Sequence, residues 1–210
     1  MTAPVTMNQV IHGAVRRDLD RLASALDRLE DGDTARAAAL ARAFGSLRAH
    51  LTHHHEDEDT HIWPVLERLG ADHDLMLAME SEHEAMARAL ADTDAAMTAL
   101  ARTGSAADAA AARASVARTR EVVDRHLTHE ETEVEPVIHG YEESPEWKAV
   151  EKKLRSQPPA VLGSFFAWVT DGMTDDHRAY FRKTVPPPVV YVFSRTFGRR
   201  YRREIAPTWR

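Results

Sequence analysis

The sequence predicts an all-α fold, an up-down-up-down four-helix bundle followed by a C-terminal helical extension. Apolar side chains recur at steps of three and four residues along four long segments, which is the period of one helix face. Capping and stop residues separate these segments, and the connections between them are short. We therefore predict a bundle over residues 1–140 and an extension over residues 141–210 that packs on it.

The first helix is predicted to begin near Thr6, whose hydroxyl is a suitable N-cap, and to end near the "EDGD" of residues 30–33. Its apolar stripe consists of Val15, Leu19, Leu22, Leu26 and Leu29. One step of three residues back from Val15 lies His12. A histidine therefore occupies the position where the stripe requires an apolar side chain.

The second helix is predicted from about Thr34 to Leu69, with Gly70 as its stop, and the third from about Asp72 to Thr103–Gly104. The second stripe contains Leu40, Phe44, Leu47, Leu51, His54, Glu58, Ile62 and Val65. The third stripe contains Met76, Met79, His83, Met86 and Leu90. Both stripes are thus interrupted by polar side chains, and the methionines are interpreted as core residues.

The fourth helix is predicted to start at the N-cap Ser105 and to continue to Gly140. Its stripe contains Val116, Thr119, Val123, His126, Glu130, Val134 and Val137. Pro64 and Pro136 lie late in the second and fourth helices. Because proline lacks a backbone N–H, each is expected to kink or end its helix nearby.

The extension begins with a clear helix start, in which Ser144 is the cap and Pro145 the first residue. The segments "PPAVLGSFFAWVTDGM" and "DDHRAYFRKT" predict two more short helices, and "VPPPVVYVF" and an arginine-rich end follow. The segment either packs its aromatic residues over the bundle or offers a basic patch to an acidic partner, a nucleic acid or a membrane surface. No nucleic acid is expected, and the sequence leaves any protein partner open.

The composition excludes several kinds of site. The 210 residues contain no cysteine, so disulfides, zinc-thiolate sites and iron-sulfur clusters are excluded. The start has no apolar run of the signal-peptide type. The most apolar stretch holds roughly a dozen apolar residues, whereas a membrane-spanning helix needs about 20. A soluble, cytoplasmic protein is expected, and the excess of arginine over lysine is typical of a GC-rich bacterial genome.

Six polar residues share the stripe positions of the four helices: His12, His54, Glu58, His83, His126 and Glu130. Two ionised carboxylates in a core cost several kcal/mol each unless a charge compensates them, so this interior requires a cation. A lone buried histidine is ordinarily a core residue, and one His-x3-Glu pair is ordinarily a surface pair. Here the pair occurs twice, each time with proline ten residues after its histidine, which predicts a metal site.

Six inward ligands are too many for one tetrahedral zinc ion and suit a two-metal centre. Nitrogen and oxygen ligands with open positions fit iron or manganese. Among the remaining polar residues, Glu56, Asp57 and Asp59 are expected to be solvated, and His50 is a candidate to orient a ligand from outside. The other histidines are expected at the surface or around the ligands: His53, His61, His73, His129, His139 and His177.

The pattern resembles the hemerythrin-like HHE cation-binding domains over about residues 8 to 140. The resemblance rests on the two His-x3-Glu pairs, the "IWP" and "VEP" that follow them, and the lone stripe histidines. It implies a non-haem di-iron centre, with two Fe2+/Fe3+ ions and a bridging oxo or hydroxo group. It further implies that Glu58 and Glu130 bridge the irons. In that arrangement one iron is bound mainly by His12 and His54 and the other mainly by His83 and His126.

The chain departs from the oxygen-carrying hemerythrins in two motifs. Those proteins have a His-x3-His pair on the third helix, whereas the residues four before and four after His83 are Met79 and Ala87. Their last motif is His-x4-Asp, and here it is His-x3-Glu. One iron therefore lacks a histidine, and the candidates for the seventh ligand are a water, His55 and Glu80. An under-ligated iron favours turnover or another small ligand over reversible oxygen carriage.

Two functions follow from this interpretation. The first is a di-iron protein that binds or reacts with O2, nitric oxide or hydrogen peroxide, including a catalase-like or scavenging oxidoreductase active in oxidative stress. The second is a non-catalytic sensor of oxygen, iron or redox state, or a store, that acts through the C-terminal segment. A structural zinc site is the least favoured reading, because closed zinc sites have four ligands. The sequence leaves open whether the protein is an enzyme.

Overall fold

The computed structural model describes residues 5–210, and within them every regular element is helical. The α-helices are α1 (Met7–Asp27), α2 (Thr34–Asp57), α3 (Trp63–Leu69), α4 (His73–Thr103), α5 (Ala106–His129), α6 (Glu135–Tyr141), α7 (Pro145–Leu154), α8 (Pro159–Val169), α9 (Asp175–Thr184) and α10 (Pro187–Thr196). This confirms the prediction of an all-α fold. None of the helices in residues 5–210 combines the length and apolar character needed to cross a membrane.

The helix boundaries follow the capping residues of the sequence. The side chain of Thr6 accepts a hydrogen bond from the backbone N–H of Gln9, and Ser105 accepts one from Asp108 in the same way. Gly70 and Gly104 end α3 and α4 with φ angles of 96° and 63°. Such positive φ angles are readily adopted only by glycine, so these two residues stop their helices.

The bundle is a closed ring of neighbours, in which α1 packs on α2, α2 on α4, α4 on α5, and α5 on α1. The predicted stripes face one another inside it, and Leu22, Phe44, Leu90 and Val116 are all at least 97% buried. Toward the far end this interior is apolar except for three buried hydroxyl groups, those of Thr93, Ser115 and Thr119, which hydrogen-bond one another. The other end carries the polar residues that interrupt the stripes.

A second, smaller apolar cluster closes that polar end. It combines Trp63, Leu66, Met76, Met79 and Val134 with Trp147 of α7. The polar residues therefore lie between two apolar clusters, which keep water away from both sides.

Helices α8 and α9 pack on the outside of α1, α7 packs on α3, and α10 packs on α8. The indole N–H of Trp168 on α8 donates to the buried carboxylate of Asp18 on α1 at 2.9 Å. Arg17 pairs with the other oxygen of Asp18 and also donates to the backbone carbonyl of Trp168. Helices α7, α8 and α9 lie where the sequence predicted short helices, whereas α10, which starts within a run of three prolines, was not predicted.

Candidate metal centre

Each His-x3-Glu pair lies where an α-helix widens into a π-helical turn. Glu58–Ile62 forms the turn that follows α2, and Glu130–Val134 forms the equivalent turn that follows α5. Pro64 and Pro136 lie in the first turn of the helix that follows each π-helical turn. The kink expected near each proline is therefore the π-helical turn. A proline cannot donate and its ring crowds the carbonyl four residues earlier, so a wider turn relieves both problems.

The first histidine set consists of His12 on α1 and His54 on α2, and Glu130 of the turn after α5 lies against it. One ligand atom from each lies within 4.8 Å of the others. The Nε2 atoms of His12 and His54 are 3.3 Å apart, and Nε2 of His12 is 3.1 Å from Oε2 of Glu130. Three donors from three elements therefore point to one place.

The second histidine set consists of His55, His83 and His126, contributed by α2, α4 and α5, with donor atoms within the same 4.8 Å limit. The Nε2 atoms of His83 and His126 are 3.2 Å apart. The ring of His55 stacks on that of His83 with centroids 4.2 Å apart. All three are at least 93% buried. The structure therefore brings His55, a candidate for the seventh ligand, together with the predicted ligands His83 and His126.

The two carboxylates lie between the sets and reach both. Oε1 of Glu58 is 3.1 Å from Nε2 of His54, and its Oε2 is 3.5 Å from Nε2 of His83. Oε2 of Glu130 lies 3.1 Å from His12 and 3.8 Å from Nε2 of His126. Each glutamate thus spans the gap between the sets, which is the position of a ligand shared by two ions.

The unsatisfied atoms of this interior fit a bound cation. Oε2 of Glu58, Oε2 of Glu130 and Nε2 of His55 are buried without a hydrogen-bond partner within residues 5–210. Such atoms are rare in folded proteins because their desolvation goes uncompensated. Two imidazole nitrogens bound about 2.1 Å from one ion at a right angle would be about 3.0 Å apart, close to the spacings of both sets. The residues present therefore fit metal ions.

Hydrogen bonds from a second layer orient three of the histidines. Nδ1 of His12 lies 2.8 Å from Glu131, Nδ1 of His83 lies 2.7 Å from Asp59, and Nδ1 of His126 lies 2.9 Å from Glu82. An ionised carboxylate only accepts hydrogen bonds, so each Nδ1 carries the proton. In the neutral form of each ring, Nε2 then presents its lone pair to the centre, as metal-bound histidines do.

The sequence analysis missed Glu131 and Glu82 and placed Asp59 in solvent. Asp59 is exposed as expected, with 44% of its side chain accessible, but one of its oxygens also bonds Nδ1 of His83. A signal was present in the chain, because each of these acids is the immediate neighbour of a candidate ligand. Each bonds a histidine on a different helix, which a single-helix pattern cannot show.

Burial and the charges of neighbouring groups both shift the pKa values of the ionisable groups in the centre. Burial raises the pKa of Glu58 well above its ordinary value, and the neighbouring Glu130 raises it further. Burial also opposes the charge of Glu130, but His12 outweighs it and holds the pKa of Glu130 below its ordinary value. Burial would lower the pKa of His12, yet Glu130 raises it to about 9. Burial thus disfavours the charged form of Glu58, whereas His12 and Glu130 favour each other's charged forms.

Two further histidines of the centre, His54 and His55, are kept neutral by burial and are available as donors. Burial lowers the pKa of His54 to about 3, with a further contribution from His12. Burial likewise lowers the pKa of His55 well below its ordinary value, with His83 as the next cause. Neutral imidazole is the form that binds metals.

Two other candidates lie away from the centre. Glu80 is exposed and lies on the rim of a cavity rather than among the buried donors. His50 stacks on Trp168 of α8 at 4.4 Å, with the rings 5° from parallel, and contacts none of the candidate ligands. The idea that His50 orients a ligand is therefore wrong. The histidine that contributes next to the centre is His129, which shares the carboxylate of Glu82 with His126.

A cavity of about 410 Å³ leads to the second histidine set. Its inner lining includes His55 and His83, and its rim carries the acids Glu56, Asp59, Glu80 and Glu84. The rim residues are exposed, so the cavity opens to solvent. None of the first set lines it. A small molecule can therefore approach the second set without crossing the bundle.

Comparison with known proteins yields one match. The family model of the hemerythrin HHE cation binding domain matches residues 6–138, which include both histidine sets and both π-helical turns. No curated protein and no solved structure matches the chain. The matched range ends within α6, so helices α7 to α10 lie outside it.

Proposed function

Because the chain belongs to the hemerythrin HHE cation-binding domain family, we propose that it holds two iron ions and reacts with a small ligand such as O2, nitric oxide or hydrogen peroxide. Membership of the family implies iron binding. One observation carries the finer proposal. Two glutamates with unpartnered buried oxygens lie between two sets of histidine nitrogens and reach both sets.

In this proposal each histidine set binds one iron. His12 and His54 hold the first ion, and His83 and His126 hold the second. Glu58 and Glu130 supply oxygens to both. His55 is the seventh ligand, because its Nε2 is buried, unpartnered and within reach of His83 and His126. Exposed Glu80 has no such position, and we assign it no metal-binding role.

The protein contributes orientation and exclusion of water. Iron held by these residues would supply the redox chemistry. Glu131, Asp59 and Glu82 fix the tautomer and ring orientation of three histidines through their Nδ1 atoms. Met76, Met79 and Met86 are buried around the centre and keep its surroundings apolar.

The access route favours a neutral ligand. Four carboxylates surround the cavity that leads to His55 and His83, and no lysine or arginine lines it. An anion entering there would meet repulsion, whereas O2, nitric oxide and hydrogen peroxide carry no charge. Consumption of hydrogen peroxide, in a catalase-like reaction, needs no organic substrate pocket and suits a cavity of this size.

The test is metal analysis and an absorption spectrum of aerobically purified protein, followed by a peroxide assay. We expect two irons per chain, charge-transfer absorption in the near ultraviolet, and oxygen evolution from peroxide that stops when a chelator removes the iron. Zinc in place of iron, or one metal ion per chain, would contradict the proposal. Iron without peroxide consumption would leave the metal centre standing and exclude the catalase-like reaction.

A sensor is the alternative, and one contact favours it. Gly13, which follows His12 on α1, lies so close to His177 of α9 that an added Cβ would be 2.5 Å from Cε1 of that histidine. A movement of His12 on metal loss would therefore be transmitted to α9. Proteolysis of residues 141–210 at a rate that depends on iron, together with slow peroxide turnover, would favour the sensor.

A further inference from the structure

The exposed apolar side chains of this protein are concentrated at one place. Of the five large apolar side chains that are exposed within residues 5–210, four lie on α10 or directly after it: Val189, Tyr191, Val192 and Phe197. Their exposed fractions run from 38% to 59%. Single exposed apolar residues are ordinary, but a group within nine residues marks a contact surface.

The inner side of α10 packs against α8, so the helix that carries the exposed face is held in place. Phe193 packs toward Phe166 of α8, with ring centroids 6.3 Å apart. Gly163 on α8 and Gly198 after α10 meet so closely that a Cβ on Gly198 would lie 2.5 Å from the carbonyl oxygen of Gly163. The crossing fixes α10 and leaves its apolar outer face without a partner in the described part of the chain.

The surroundings of this face are strongly basic. Residues 178–210 contain nine lysines and arginines and a single acid, Glu204, although the whole chain has a net charge of -6. Arg195 lies over the ring of Tyr191 at 4.3 Å. Arg199 and Arg203 are exposed and have no carboxylate partner among residues 5–210. The face therefore combines apolar side chains with uncompensated positive charge.

A cavity beside α10 repeats this combination. It has a volume of about 320 Å³ and lies between α9, α10 and the C-terminal turn. Met173 and Phe181 contribute buried apolar surface to it, and Arg178, Arg182 and Arg202 also line it. Guanidinium groups bind phosphate through paired hydrogen bonds, and the apolar lining accepts hydrocarbon.

We propose that α10 and the arginines around it bind the surface of a bilayer that contains anionic phospholipid. The aliphatic and aromatic side chains enter the boundary of the acyl chains, while the arginines reach the phosphates. A nucleic acid would use the arginines but leave Val189 and Val192 in water. A bilayer satisfies both features, and this inference does not depend on the metal centre.

The experiment is flotation of the full-length protein with vesicles of neutral phosphatidylcholine, or of phosphatidylcholine with 30% phosphatidylglycerol, across a range of salt concentrations. We expect binding to the anionic vesicles alone, weakening as salt rises. Arg199→Glu with Arg203→Glu should weaken the binding roughly a hundredfold or more, since each basic residue near the surface contributes about 1 kcal/mol. Val192→Glu should weaken it about tenfold by placing a charge in the apolar face.

Matched controls separate this surface from the rest of the protein. Arg42→Glu with Arg118→Glu makes the same change of net charge at exposed positions on the bundle. Leu77→Glu changes the one exposed large apolar residue that, among residues 5–210, lies outside the α10 region. Both controls should bind like the parent protein. Circular dichroism and iron content should be the same for every variant, because all these positions are exposed.

Four results would overturn the proposal. The first is an absence of binding to anionic vesicles, and the second is equal loss in the bundle controls. The third is a stable dimer that dissociates on Val192→Glu, since a second copy would then cover the face. Binding of duplex DNA by a protein that ignores vesicles would likewise overturn it in favour of a nucleic acid.

Discussion

The two histidine sets of the metal centre contain similar ligands but have different surroundings. Behind the first set, the Glu131 that orients His12 is 22% exposed and is held by Arg16, whose Nη1 donates to it at 2.6 Å. Behind the second set, the Asp59 that orients His83 is 44% exposed and lies on the rim of the open cavity. The first set is built for retention and the second for access.

The difference teaches how one bundle can hold a metal centre and still admit a ligand. The bundle repeats the same unit twice, with a His-x3-Glu pair, a π-helical turn, and an acid after the glutamate that bonds a histidine on another helix. The repeat supplies a nearly symmetric set of donors. Asymmetry then comes from the second layer, where Arg16 closes one side and a cavity opens the other.

The largest expected effect is loss of the metal from the centre. Glu130→Ala removes an oxygen that reaches both sets, and His54→Ala removes a nitrogen of the first. Each variant should lose its iron and its near-ultraviolet absorption. His139→Ala should keep both, because its Nδ1 bonds only the backbone carbonyl of Glu135. Retention of two irons by Glu130→Ala would show that the glutamate does not join the sets.

The next effect compares the second layers directly. Glu131→Gln removes the charge that orients His12, and metal affinity should fall about 10- to 100-fold. Asp59→Asn should cost less, about tenfold or below, since solvent competes for this more exposed carboxylate. Competition with a chelator measures both affinities.

Glu133→Gln is the control for that comparison, because Glu133 is exposed and is two residues from Glu131. It should bind iron like the unmodified protein. Equal losses in Glu131→Gln and Asp59→Asn would show that burial of the second layer has no part in holding the metal.

A third test uses a histidine outside both sets. His50 is packed on Trp168 with no carboxylate nearby, and burial lowers its pKa to about 4. Because its pKa in the unfolded chain is near 6.5, the unfolded state takes up a proton first as the pH falls. The contribution of neutral His50 to the free energy of unfolding is fully present above about pH 6.5 and is lost as the pH falls toward 4.

Between pH 7 and pH 5 this single group should remove about 2 kcal/mol from the free energy of unfolding. His50→Phe keeps an aromatic ring on Trp168 and cannot titrate. Between pH 7 and pH 5 its free energy of unfolding should therefore fall by about 2 kcal/mol less than that of the parent protein. Urea unfolding at both pH values gives the difference. An identical pH dependence of the two proteins would show that His50 is already hydrated in the folded state.

The smallest effect concerns access to the second set. Ala87 lines the cavity, and Ala87→Phe should narrow it without touching a ligand. Peroxide consumption, or binding of nitric oxide, should slow about threefold to tenfold at unchanged iron content. Ala95→Phe on the exposed surface of the same helix should have no effect. Unchanged rates in Ala87→Phe would mean that the ligand enters elsewhere.

The sequence was sufficient for the fold and for the inward positions of the polar residues. Caps such as Ser105 and stops such as Gly70 act locally, and a stripe of apolar residues has a readable period. The residues His12, His54 and His83 could be found because each breaks such a stripe. Their assignment to individual metal ions stays a prediction.

Three features were beyond a reading of single helices. The π-helical turns depend on a balance between prolines and the packing of the next helix, which a 3.6-residue period does not show. The bonds of Glu131 and Asp59 cross between helices. Helix α10 starts in "VPPPVVYVF", where the prolines suggest an extended segment, and its contact with α8 through Gly163 and Gly198 overrides that preference.

The paired π-helical turns set a limit on how the chain length can change. Each turn bonds across five residues, from the N–H of Trp63 to Glu58 and from that of Glu135 to Glu130. Deleting one residue from a single turn would rotate everything after it by about 100° around the helix axis. Trp63 and Val134 would then face in different directions and the small apolar cluster over the ligands would separate. Insertions and deletions at these points must therefore occur in both π-helical turns together if the small apolar cluster is to be kept.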